Sequence, residues 1–172
     1  MLHTLQVKGV QVSDCCQVSV PQPGCGELCP VNRMKGRPVE LLTVKALLIE
    51  PSMRRINNAA HHYCSEPSCD VVYFDAKGTF YVKSEIRVPV WQKEPFGDRM
   101  VCYCFGVSES GIRTEIQTTG RSDATERVRA HIAAGRCACA VRNPRGACCL
   151  GDLAAAVTRV KVELSASTVA VR

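Results

Sequence analysis

Large rings are scarce in this 172-residue chain: four Phe, four Tyr and one Trp, 5% in all. So few aromatics leave thin cores, and small thin cores usually stand only with metals or disulfides. No apolar run reaches the roughly 20 residues of a membrane-spanning helix, which excludes a helical span. The opening MLHTLQVKGVQ has no basic start followed by an apolar core, and Lys8 interrupts it, so an export signal is not expected. Repeats and low-complexity tracts are absent. No Cys-x-x-Cys heads a βαβ unit and no cysteine, histidine and acid constellation stands out, which argues against a thiol oxidoreductase or any other enzyme. The net charge of +6 comes without a stacking platform or a recognition motif, which argues against nucleic acid.

What the chain has instead is cysteine, twelve in all. They fall at short spacings: Cys15 and Cys16, Cys25 and Cys29, Cys64 and Cys69, Cys102 and Cys104, then Cys137, Cys139, Cys148 and Cys149. Such clusters belong either to a disulfide framework or to metal sites. Residues 108–134 and 150–164 read as amphipathic helices able to bury a face without staples, and no leader is evident. The reading is therefore metal binding in a reducing cytoplasm.

Residues 1–24 read as a flexible cysteine-containing tail and 25–38 as a Gly, Pro and Cys-rich loop. Leu41 to Ile49 is apolar, with Thr43 as a candidate N-cap and Pro51 as the stop near Glu50. Val71–Phe74 and Thr79–Lys83 are β-branched and aromatic, joined by the turn Asp75-Ala76-Lys77-Gly78. Arg87–Trp91 reads as an edge strand limited by Pro89, and Gln92–Arg99 as a linker. Beyond it the period becomes helical: Ser108 caps a helix with Ile112 and Ile116 ended by Gly120. Ser122 or Asp123 caps a second, with Ala124, Val128 and Ile132, ended by Gly135. A third runs from about Gly151 through Leu153, Val157, Val160 and Leu164. The expected fold is α+β: a small β-rich metal-binding domain at 25–95, then a helical, helix–turn–helix domain at 100–164.

In an extended segment residues i and i+2 share a side, so Cys102 and Cys104 can face one centre, and Cys137 and Cys139 likewise. The Asn143-Pro144-Arg145-Gly146 turn folds the chain back to deliver the vicinal pair Cys148 and Cys149, which diverge, so at most one binds. Five thiolates thus converge near helix starts, where free N–H groups favour an anionic thiolate cluster such as [2Fe–2S]; a four-thiolate zinc has the same ligands. Upstream, Cys25, Cys29, Cys64 and Cys69 lie on two loops able to meet on a tetrahedral zinc. His61 and His62 are the other donors, though ordinary partly exposed imidazoles is the plainer reading of both. Six arginines, Arg121, Arg127, Arg129, Arg136, Arg142 and Arg145, read as a solvated helix face or as a basic docking surface for an acidic partner.

The segments VCYCFGVSESGIRTEI (101–116) and GRCACAVRNPRGACCLGD (135–152) resemble the [2Fe–2S] domain of bacterioferritin-associated ferredoxin. They look still more like the related domain of CopZ-type copper chaperones. The ferredoxin pattern has Cys-x-x-Cys where this chain has Cys137-Ala-Cys139; the CopZ-type pattern takes one cysteine before an Asn-Pro-x-Gly turn and one from the pair after it. That resemblance implies Cys102, Cys104, Cys139 and Cys149 as cluster ligands, with Cys137 and Cys148 as spare thiols. Residues 29–75 resemble the zinc-binding domain of the same proteins, where the first half is Cys-x-x-Cys; here the second position is Asn32. The fourth zinc ligand is then Cys25, His61, His62 or Asn32. The Met-x-Cys-x-x-Cys copper loop of that family is absent from this sequence. The implied function is electron transfer, soft-metal trafficking with Cu(I) as cargo, or both, with a redox or metal-transfer protein as partner. Cys15 and Cys16 are available to collect a soft ion, though an unremarkable tail is the plainer reading of both. A structural zinc interaction module is the alternative.

Overall fold

Three tyrosines on successive strands organise the N-terminal half of the computed structural model, which describes residues 26–169. Strands β1 (Arg37–Val39), β2 (His61–Tyr63), β3 (Val71–Asp75) and β4 (Phe80–Val82) form an antiparallel sheet in chain order. Tyr63 pairs with Tyr73 and Tyr73 with Tyr81, so period-2 alternation places all three rings on one face. Helix α1 (Leu41–Leu47) covers that face with Val44, Leu47 and Leu48, joined by Val39, Val72, Ile86 and Val90. The opposite face carries His62 stacked on Phe74, with a loop hairpin over it. Gly36 in that hairpin lies so close that a Cβ would sit 2.7 Å from His62 Cβ and against the Phe74 ring.

The turn from β3 to β4 is the one the sequence predicts. Asp75 accepts hydrogen bonds from the Lys77 and Thr79 backbone N–H groups and from the Asn57 amide, and Gly78 takes φ +90°. Elsewhere the expectations need correction. Thr43 is buried inside α1 and does not cap it; Glu40 precedes the helix. The first helix ends at Leu47, short of Glu50, and Pro51 opens α2 (Glu50–Met53) rather than stopping α1, because its fixed φ suits a first helical turn. Arg87–Trp91 is not a strand: only Ile86 bridges, to Leu48, and a 3₁₀ turn follows at Trp91–Lys93. The expected linker is packed rather than free, with Lys93 and Arg99 both buried. The 25–38 loop contains the Leu28–Lys35 bridge and runs into β1.

The second half follows the helical period closely. A hairpin of β5 (Met100–Cys102) and β6 (Val107–Ser108) leads into α3 (Glu109–Thr119), where the Ser108 hydroxyl accepts from Gly111 N and Gly120 ends the helix at φ +82°. Helices α4 (Ala124–Ala133), α5 (Cys139–Arg142) and α6 (Leu150–Val169) complete it. Val101, Ile112, Ile116, Val128, Leu153, Ala156 and Val160 form its core. The two halves meet where α5 packs on α1, and the Tyr73 hydroxyl donates to Pro144 O at 2.6 Å. No described helix is long and apolar enough to cross a membrane.

Candidate metal centres

The nine described cysteines are all free thiols, and they gather at two places. The first is built from β3's approach and the hairpin above the sheet. Cys29 N donates to Met34 O at 2.9 Å, Arg33 N donates to Cys29 O at 2.9 Å, and Arg33 sits at φ +60°. This tight knuckle turns Cys29 inward. Cys64 leaves β2 and Cys69 enters β3, with Cys64 N bonded to Val72 O and Cys69 N to Glu66 O. The three sulfurs lie within 4.8 Å of one another, all buried, and Cys29 Sγ is 3.9 Å from Cys69 Sγ. Two thiolates on one tetrahedral metal, at about 2.3 Å each, lie about 3.8 Å apart. The spacing is that of a shared ion.

Of the other expected donors, Cys25 lies outside the described residues. Asn32 is at the site: its Nδ2 donates to Cys64 Sγ at 3.3 Å while its Oδ1 accepts from Met34 N at 2.9 Å. His61 and His62 are not among the gathered donors, and both are buried rather than partly exposed. His61 faces Asp75, with Nε2 4.0 Å from its carboxylate and neither ring nitrogen hydrogen-bonded, and His62 stacks on Phe74. Burial drives the Cys64 thiol up, but the Glu66 N–H, the Asn32 amide, the Lys93 charge and a bond with Cys29 outweigh it and leave it below the ordinary thiol value. Burial pushes Cys69 up to about 11.

Lys93, in the stretch whose polar neighbours read as a linker, is a residue of this site. Its ammonium is buried and donates to Glu66 O at 2.7 Å and Cys69 O at 2.9 Å, closing the Cys64–Cys69 loop from behind. Desolvation lowers its pKa, opposed by the three nearby thiols. A single lysine in a charged run carries no sequence signal of such a place.

The second centre draws on three segments. Cys102 ends β5, Cys104 lies in the following turn, Cys139 starts α5, and Cys149 immediately precedes α6, its carbonyl accepting from Leu153 N at 2.9 Å. Cys104 is not in an extended run, as i, i+2 reasoning has it; a turn through Gly106 at φ +64° brings it round. The sulfurs form two pairs. Cys104 Sγ is 3.7 Å from Cys139 Sγ, and Cys102 and Cys149 are buried together in the helical core. The neighbouring Cys149 thiol, against burial and with help from the Phe105 and Cys104 backbone N–H groups, draws Cys102 down to about 6. Cys102 and burial drive Cys149 upward, while burial and then Cys104 push Cys139 up to about 12. Ala138 N donates to Cys104 Sγ at 3.3 Å.

Cys102 and Cys149 are fully enclosed, whereas Cys104 and Cys139 are half-buried. The vicinal pair diverges as its geometry requires, Cys149 inward and Cys148 exposed; Cys137 is half-buried. Asn143 holds the turn between them, its Nδ2 donating to Ala147 O at 2.7 Å and its Oδ1 accepting from Arg145 N at 3.0 Å. Four of the six arginines pair with carboxylates: Arg121 with Asp123, Arg127 with Glu115, Arg129 with Glu126 and Arg145 with Asp152. Arg142 reaches Cys104 O at 3.4 Å and Arg136 reaches His131 Nδ1 at 3.1 Å, and neither has a carboxylate partner among the described residues.

Residues 26–87 match a family model described as a zinc binding domain. The copper chaperone CopZ of Archaeoglobus fulgidus is 32% identical over 151 residues, spanning 81% of this chain and 71% of that protein. The X-ray structure of the Archaeoglobus fulgidus CopZ N-terminal domain aligns with a TM-score of 0.59 at 34% identity, covering 71% of this chain and 91% of that one.

Proposed function

The chain belongs to the family of the copper chaperone CopZ, and from that premise we propose a metal-handling protein whose two halves hold different metals. Cys29, Cys64 and Cys69 hold zinc; Cys102, Cys104, Cys139 and Cys149 hold a [2Fe–2S] cluster. The observation that carries the second assignment is the convergence of four thiols from three segments, Cys104 3.7 Å from Cys139 and Cys102 buried together with Cys149. A cluster with two irons needs two thiolates at each. A backbone N–H group, that of Ala138, already points at Cys104, as a thiolate sulfur requires.

Such a cluster, once bound, supplies one-electron chemistry. The chain's own residues determine where that chemistry is reached. Cys102 and Cys149 are shut from water by the helical core, and Cys104 and Cys139 open toward a surface bearing Arg136 and Arg142. That surface suits an acidic redox or metal-transfer protein. Free thiols suit a reducing cytoplasm, and the cargo that fits soft thiols and the family is Cu(I). The role is transfer of electrons or metal rather than catalysis.

Visible absorption of anaerobically purified variants tests the ligand set. Cys102→Ala, Cys104→Ala, Cys139→Ala and Cys149→Ala should each lose a red-brown absorption that Cys137→Ala and Cys148→Ala keep. Colourless wild-type protein with zinc in both places would remove electron transfer and leave a zinc-stabilised interaction module.

A further inference from the structure

The knuckle that presents Cys29 gives its other inward position to an amide. Leu28 and Lys35 bridge at its base, Gly36 N bonds Glu27 O at 2.8 Å, and Asn32 is fixed at both ends of its carboxamide. Turning Oδ1 toward a metal would break its bond to Met34 N. Around it Pro30, Val31, Arg33 and Met34 are exposed, while the three thiols beneath are buried. Gly26, the first described residue, lies against Ala76, just beyond the end of β3 remote from Cys69. Among the described residues, no fourth thiol joins the three.

The buried Lys93 side chain donates to Cys69 O at 2.9 Å, beside the three thiols. Their spacing is that of thiolates around one tetrahedral ion such as zinc. Zinc in structural sites is closed by four ligands, whereas three protein ligands leave a position through which ions and water pass. Thiolates, being soft, favour the heavier and softer dications.

The geometry points to a three-thiolate site at Cys29, Cys64 and Cys69 for a thiophilic divalent cation, with Asn32 over the fourth position, so that zinc exchanges readily for Cd(II) or Hg(II). The incoming dication replaces the outgoing one, and no proton or electron moves. This rests on the reading that the N-terminal thiols hold a metal and is independent of the cluster.

Zinc X-ray absorption and the rate of zinc displacement by Cd(II), both on the full chain, test it. Wild type should show three sulfurs and one lighter ligand. Asn32→Cys should show four sulfurs and release zinc at least about tenfold more slowly, the lower end of what altered metal surroundings do. Cys25→Ser should match wild type in both. Four sulfurs in wild type, falling to three in Cys25→Ser, would overturn the inference while leaving the N-terminal zinc reading intact. An Asn32→Cys exchange rate equal to wild type would also overturn it. Purified protein with no zinc at all would overturn both.

Discussion

At the scale of single residues, two positions decide whether the centres form. Gly36 lets the knuckle lie on the sheet, since a methyl there would meet His62 Cβ at 2.7 Å and the Phe74 ring. Gly36→Ala should destabilise the protein by about 1–3 kcal/mol, the usual scale of overpacking. It should also speed loss of zinc to a chelator, because Cys29 moves with the hairpin; unchanged melting and zinc release would contradict that. Asn143 acts in the same way at the other centre. Its amide joins Ala147 O to Arg145 N across the turn that separates Cys139 from Cys149. The turn was legible from Asn143-Pro144-Arg145-Gly146, and the divergence of Cys148 from Cys149 followed from backbone alternation alone. Lys93 was not legible. A buried lysine bonded to two carbonyls looks, in sequence, like any charged residue between Gln92 and Glu94.

At the scale of elements, α3 and α4 are tied by Glu115. Its carboxylate takes a fork from Arg127 at 2.6 and 2.9 Å, the Ser122 hydroxyl at 2.8 Å and Asp123 N at 3.2 Å, where α4 begins. The Arg127 bonds, against a smaller cost of burial, bring its pKa from 4.5 down to about 2. Because the folded value is the lower one, this contribution is full above about pH 4.5 and is lost as pH falls toward about 2. Arg127 is half exposed, so screening limits the effect to about 1 kcal/mol. Glu115→Gln should therefore melt lower than wild type at pH 7, and the gap should close in acid; a gap that persists at pH 2 would contradict it. The helices carrying these residues were readable because caps and period agree: Ser108, Gly120 and the Ile112–Ile116 face all hold. The short strands β1 and β2 were not: Arg37-Pro38-Val39 and His61-His62-Tyr63 carry no β-branched or aromatic run, and the partner of β1 lies beyond α1 and α2. Arg87–Trp91 shows the converse: local β-branched composition lost to packing, with Arg87 bonding Leu48 O instead of a strand.

At the scale of the whole molecule, the two halves are joined by the surfaces nearest their thiols. Tyr73, in the middle of the tyrosine face, donates to Pro144 O in the turn before Cys148 and Cys149. Trp91 N donates to the Tyr103 hydroxyl at 2.8 Å, between Cys102 and Cys104, and that hydroxyl in turn donates to Pro89 O at 2.7 Å. Tyr73→Phe leaves a buried carbonyl unpaired and should cost about 1–3 kcal/mol. It should separate the loss of the N-terminal metal from that of the C-terminal one on heating; a single unchanged transition would show that the halves are not coupled through this bond. The central claim, two unlike metals on one chain, is tested most directly by native mass spectrometry of the anaerobically purified protein. The account predicts a mass above that of the bare chain by one [2Fe–2S] cluster and one zinc. A mass increment of zinc alone, or of iron without sulfide, would contradict it.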